Sequence, residues 1–104
     1  MASVGPFITI TARNSGPDVI SFTVKAAMED AQLKFDWGNF GSGKSYIVQL
    51  PATVTSIQVT INREAFIGDW KGVVSDTWTD ATGWTGQNCS YSVSDGSSTR
   101  TFSS

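Results

Sequence analysis

TVTSIQVTIN, residues 53–62, is the stretch on which the reading of the fold turns. Thr55, Ile57, Val59 and Ile61 share one face, and Val54, Ser56, Gln58 and Thr60 share the other. A period of two is the mark of a half-buried β-strand. Upstream, residues 45–50 form a further strand closed by Pro51. Residues 33–37 place Leu33, Phe35 and Trp37 together, with Lys34 and Asp36 outward. Residues 7–13 and 19–26 alternate in the same way. Between them Asn14-Ser15-Gly16-Pro17-Asp18 is dense turn chemistry, so the two runs read as antiparallel neighbours. Residues 27–32 allow one helical turn, too short to count as a helix.

Downstream, residues 63–68 read as a loop with Phe66 and Ile67 at its tip. Residues 70–78 and 88–93 read as strands, and Ser94-Asp95-Gly96-Ser97 turns the chain into a closing hairpin over 99–103. No segment carries a helical period. The pattern predicts an all-β, single-domain antiparallel β-sandwich or small barrel over residues 1–104, with about eight short strands.

Composition narrows the function. At 104 residues, 39% hydrophobic and 15% charged, the chain is expected to form one globular domain. A net charge of −2 argues against nucleic acid, whose phosphates require a basic face. The absence of histidine removes Ser-His and Cys-His nucleophile pairs and the commonest metal ligand. The single Cys89 forms no intrachain disulfide, which fits a reducing compartment. The start, MASVGPFITI, has no basic region followed by a long apolar run, and no apolar stretch approaches the ~20 residues of a membrane span. These features predict a cytoplasmic location without a classical export signal. No cofactor and no metal are expected, because the D-T-W-T-D run of residues 76–80 lacks the ligand density of a calcium loop.

Residues 38–45, GNFGSGKS, match the phosphate-binding loop signature G-x-x-x-x-G-K-S. That loop works only if a helix begins at its lysine, so that amide N–H groups and the helix dipole face the phosphates. Here Tyr46-Ile47-Val48-Gln49-Leu50-Pro51 follows, a strand pattern ended by proline. The match is therefore read as a hairpin loop with a solvated Lys44.

Residues 69–88, DWKGVVSDTWTDATGWTGQN, concentrate Trp70, Trp78 and Trp84 beside Asp69, Asp76 and Asp80 and the amides of Gln87 and Asn88. Indole faces next to short hydrogen-bonding groups suit a sugar ring, whose C–H face stacks while its hydroxyls seek partners. Trp70 and Trp78 lie an even number of residues apart in a strand-like run, so they share one face. Core and site roles both fit them. Trp84 stands between glycines without periodic context and is the first choice for a stacking platform. The candidate ligand-binding set is Asp69, Trp70, Trp78, Asp80, Trp84, Gln87 and Asn88, with no catalytic residue. Carboxylate pairs such as Asp76 and Asp80 would need a deep cleft for glycoside hydrolysis, so a binder is expected rather than an enzyme.

An acidic, cysteine-poor β protein of this size without a signal sequence resembles the small cytoplasmic lectins of mushroom fruiting bodies. That resemblance implies glycan or glycoconjugate partners and a homodimer. The run FITITARNSGPDVISFTVK, followed by Trp37-Gly38, is also similar to the opening of aegerolysin-type lipid-binding proteins, which implies membrane-lipid binding. Three functions follow. The first is a lectin. The second is a membrane-surface binder or cytolysin whose Phe66, Ile67 and tryptophans enter the interface. The third is an inhibitor or structural module whose tryptophan-rich face meets a protein.

Overall fold

Alternation in the sequence becomes alternation in burial. The computed structural model describes residues 7–51, 53–79, 88–94 and 96–103. Its strands are β1 (Phe7–Asn14), β2 (Val19–Ala27), β3 (Gln32–Phe40), β4 (Ser45–Pro51), β5 (Ser56–Phe66), β6 (Asp69–Trp78), β7 (Asn88–Ser94) and β8 (Ser97–Ser103). They build a β-sandwich of two four-stranded sheets, ordered β4-β1-β7-β8 and β3-β2-β5-β6. No helix occurs among the described residues.

Inward residues of the two sheets meet in a buried apolar core. Ile8, Ile10 and Ala12 of β1, Val48 and Leu50 of β4, and Cys89, Tyr91 and Val93 of β7 face Ile20, Phe22 and Val24 of β2 and Ile57, Val59 and Ile61 of β5. Each large side chain removed from water in this way contributes about 1.5–3 kcal/mol. Aromatic pairs close both open edges of the sandwich. Tyr46 of β4 stacks on Trp37 of β3 at 4.9 Å, and Phe102 of β8 meets Trp78 of β6 edge-on at 6.4 Å.

Several expectations need correction. β1 and β2 do not pair; they lie in different sheets. The turn between them is closed by the Asn14 side chain, which takes the chain across the core instead of back along one sheet. Nδ2 donates to the Asp18 carbonyl at 2.5 Å, and Oδ1 accepts from the Gly16 N–H at 3.1 Å. β1 instead pairs in parallel with β7, Ile10 opposite Cys89 and Ala12 opposite Tyr91.

The supposed shared face of Trp70 and Trp78 is also wrong. Ile61 pairs with Val74 but Asn62 pairs with Gly72, so Val73 is an extra residue that breaks the period of two. Beyond this bulge Trp78 keeps the inward register of Ile57, whereas Trp70 sits opposite Glu64 on the outer face.

The sequence around the phosphate-loop match also folds differently from a simple glycine-rich loop. β3 continues through Gly38 to the buried Phe40, and only residues 41–44 form the turn. Gly43 takes a left-handed φ of +82° and donates its N–H to the Asn14 carbonyl at 2.7 Å. A strand, not a helix, starts at Ser45. No helical turn forms at residues 28–31 either, where the Met28 N–H closes a tight turn on the Ala31 carbonyl at 2.8 Å.

Candidate functional site

The β5–β6 hairpin is the most exposed apolar feature among the described residues. Phe66 pairs with Asp69, leaving Ile67 and Gly68 as the turn. Gly68 has a φ of +78°, a left-handed conformation that a side chain would strain. Its N–H donates to Glu64 Oε2 at 2.9 Å, so the tip is held by its own carboxylate. Phe66 is 76% exposed and Ile67 fully exposed. Two adjacent large apolar side chains are therefore exposed on a turn that a hydrogen bond closes.

The same end of the sandwich is braced from three directions. Register places Val19 opposite Glu64, Ile20 opposite Phe40 and Asn14 opposite Val93, so the β1–β2 and β3–β4 turns and the end of β7 lie at the hairpin's end. The Arg63 guanidinium donates to Asp18 Oδ2 at 2.6 Å, linking β5 to the β1–β2 turn. A Cβ on Gly96, in the β7–β8 turn, would lie 3.1 Å from that guanidinium, so Gly96 makes room for it. Asn14 is the hub. It is 1% exposed, and its Nδ2 also donates to the Phe40 carbonyl at 3.0 Å. Its backbone N–H donates to the Lys44 carbonyl at 2.9 Å, and the next N–H, of Ser15, donates to the Val93 carbonyl at 2.8 Å.

The sequence-derived set does not converge on one place. Trp70 is 39% exposed on the outer face of this hairpin, and Asp69 is exposed beside the tip. Trp78 and Asn88 lie at the opposite end: β6 carries Trp78 eight residues from Trp70, about 26 Å of strand. Trp78 is half-buried, with the Arg100 guanidinium 5.5 Å from its ring centre. Asn88 opens β7 opposite Thr9 and Ser103. Asp80, Trp84 and Gln87 lie outside the described residues. The sequence pointed to Phe66 and Ile67 only under its membrane reading. Asn14, Arg63 and Asp18 were not singled out, because nothing in a turn-rich NSGPD run distinguishes a buried asparagine from a solvated one.

A polar cluster closes the β6–β8 edge near Trp78. Asp76 Oδ2 accepts from the Tyr91 hydroxyl at 2.8 Å and from Arg100 Nη1 at 2.7 Å. Burial, reinforced by the bond to Asp76, pushes the Tyr91 phenol above its ordinary pKa. Burial likewise raises the Cys89 thiol, which makes it a poor nucleophile. This cluster holds the edge together and exposes no reactive group.

No family model and no curated protein matches the sequence. Solved structures do match. The membrane-binding domain of pneumolysin aligns with 94% of this chain and 96% of its own length, at a TM-score of 0.65 and 12% identity. A disulfide-locked mutant of intermedilysin, solved with human CD59, aligns with 97% of this chain at a TM-score of 0.62 and 16% identity. A non-hemolytic pneumolysin from Streptococcus pneumoniae aligns with 97% at 0.59 and 10%. The chain spans about a quarter of these last two proteins. At such identities the likeness is one of fold.

These neighbours overturn the lectin expectation and the fungal sugar-binding resemblance behind it. One of them is a membrane-binding domain and intermedilysin is a human-specific toxin; no lectin is among the neighbours described. The signal misled for a physical reason. Tryptophan beside aspartate and asparagine serves sugar stacking, membrane interfaces and sheet-edge packing equally well, and residue type alone does not distinguish them. Among the described residues no helix is long and apolar enough to cross a membrane.

Proposed function

We propose that this chain is a binding module that docks on lipid membranes through the β5–β6 hairpin, with Phe66 and Ile67 entering the interface. The observation that carries the proposal is the exposure of these two adjacent apolar residues at a hairpin tip closed by Glu64 and Gly68. The fold shared with the membrane-binding domain of pneumolysin supports it. Trp70, opposite Glu64 on the outer face, is placed to rest at headgroup level, where amphipathic indoles are favoured. Because the Glu64–Gly68 hydrogen bond closes the turn, docking costs less conformational entropy than for an open loop.

Replacing Phe66 and Ile67 by serine should forfeit about 2–4 kcal/mol of interface burial, roughly thirtyfold or more in vesicle affinity. Co-sedimentation with phosphatidylcholine vesicles tests this. Undiminished binding by the double variant would contradict the assignment. Self-association belongs to the same proposal, since a two-residue tip gains avidity when two copies present it together. Light scattering of the wild-type protein at micromolar concentration reads the mass directly, and a strictly monomeric mass would remove this part.

A further inference from the structure

The outer face of the β3-β2-β5-β6 sheet carries a feature that membrane docking leaves unused. Lys25 of β2 pairs directly with Lys34 of β3, and Lys25 pairs with Gln58 of β5, which in turn pairs with Thr77 of β6. Residues directly opposite in an antiparallel pair have Cβ atoms about 5 Å apart, and like charges placed so are unfavourable. Among the described residues neither lysine forms an ion pair. Asp36, one row along the same face of β3, is engaged by the Thr23 hydroxyl at 3.0 Å. The row borders a depression of ≈ 640 Å³, which Gln32 and Ser56 also line. That volume lies in the range of small-molecule sites.

We propose that this depression binds a phosphate monoester, its dianion bridging the Lys25 and Lys34 ammonium groups. Two converging cations stabilise a dianion better than a single charge does. The amides of Gln32 and Gln58 and the hydroxyls of Ser56 and Thr77 supply donors for the remaining oxygens. A bound dianion also converts the like-charge pair from a liability into a clamp. The Lys25–Gln58 row stands six residues along β5 from Glu64, about 20 Å from the hairpin. A membrane held at the tip therefore leaves this site facing water, which favours a soluble ester over a lipid headgroup.

Titration of the isotopically labelled protein with glycerol 3-phosphate, against sodium chloride of equal ionic strength, tests the proposal. Saturable shifts are expected at Lys25, Lys34, Gln58 and Thr77, with a melting temperature that rises with ligand. Lys25→Gln with Lys34→Gln should abolish both effects. In chloride alone the double variant should melt at the wild-type temperature or above it, because the repulsion is gone. Shifts that never saturate, or that persist in the double variant, would overturn the proposal. Vesicles bearing phosphatidic acid, offered to the Phe66→Ser/Ile67→Ser protein, identify the source of the ester. Lysine-dependent capture there would assign the site to a lipid phosphate, and its absence beside glycerol 3-phosphate binding would assign it to a soluble one. Because the titration needs no membrane and leaves the tip intact, its failure is distinct from failure of the docking proposal.

Discussion

The Arg63 guanidinium reaches Asp18 Oδ2 at 2.6 Å, tying the strand that leads into the Phe66–Ile67 tip to the turn between β1 and β2. Both side chains are less than a quarter exposed, so water screens the contact only in part. Asp18→Ala should cost about 1–3 kcal/mol, the range for removing one partner of a hydrogen bond to a charged group. Urea denaturation with an unchanged m-value checks this. A midpoint equal to wild type would mean that the bond does not brace this end.

Asn14 gives a sharper case. Its Nδ2 points at two carbonyl oxygens, those of Asp18 and Phe40. Asn14→Ala strands these groups and the Gly16 N–H, and should cost at least about 2 kcal/mol. Asn14→Asp is isosteric but replaces the donor with an acceptor. Its carboxyl should be forced toward the protonated form, which restores one donor, so this variant should be less stable at pH 7 than at pH 4 relative to wild type. Equal destabilisation at both values would argue against the hydrogen-bond assignment.

Alkaline pH tests the β6–β8 edge. The Tyr91 phenol is raised first by burial and then by its bond to Asp76, so the folded state keeps its proton while the unfolded chain releases it near pH 10. The stabilisation is complete below pH 10 and declines as the pH rises above it. Tyr91→Phe should lose about 1–2 kcal/mol at neutral pH and show a shallower alkaline decline than wild type. Parallel pH curves for the two proteins would contradict this.

The two described tryptophans of β6 should separate cleanly. Trp78→Ala removes the edge-on contact with Phe102 and the surface under Arg100, and should cost about 2–4 kcal/mol. Trp70→Ala lies on the outer face, and should change stability by less than about 1 kcal/mol while weakening vesicle binding. Thermal melts and co-sedimentation on both variants give the comparison. The reverse pattern would place the interface at the wrong end of β6.

Strand alternation was legible because half-burial writes a period of two directly into 53–62, 7–13 and 19–26. Sheet membership was not, because the same alternation serves a strand whether its neighbour pairs beside it or packs across the core. That is why β1 and β2 read as partners when they face each other. The bulge at Val73 was hidden for a related reason: the Val73-Val74 dipeptide shows no sign of which valine is extra. Residues 63–68 read as a loop with Phe66 and Ile67 at its tip, but β5 runs through Phe66 and only Ile67 and Gly68 form the turn. Whether such a tip is exposed depends on what packs beside it, and that is decided by residues far away in sequence.

The most direct test places a reporter on the tip. Cys89 is fully buried, so Ile67→Cys supplies the one accessible thiol for an environment-sensitive fluorophore, with Glu29→Cys in the β2–β3 turn as the control at the opposite end. On addition of phosphatidylcholine vesicles the probe at residue 67 should shift to the blue and become accessible to quenchers carried in the lipid. The probe at residue 29 should remain in water. A probe at residue 67 that stays aqueous while the protein sediments with vesicles, or a response confined to residue 29, would contradict docking through the β5–β6 hairpin.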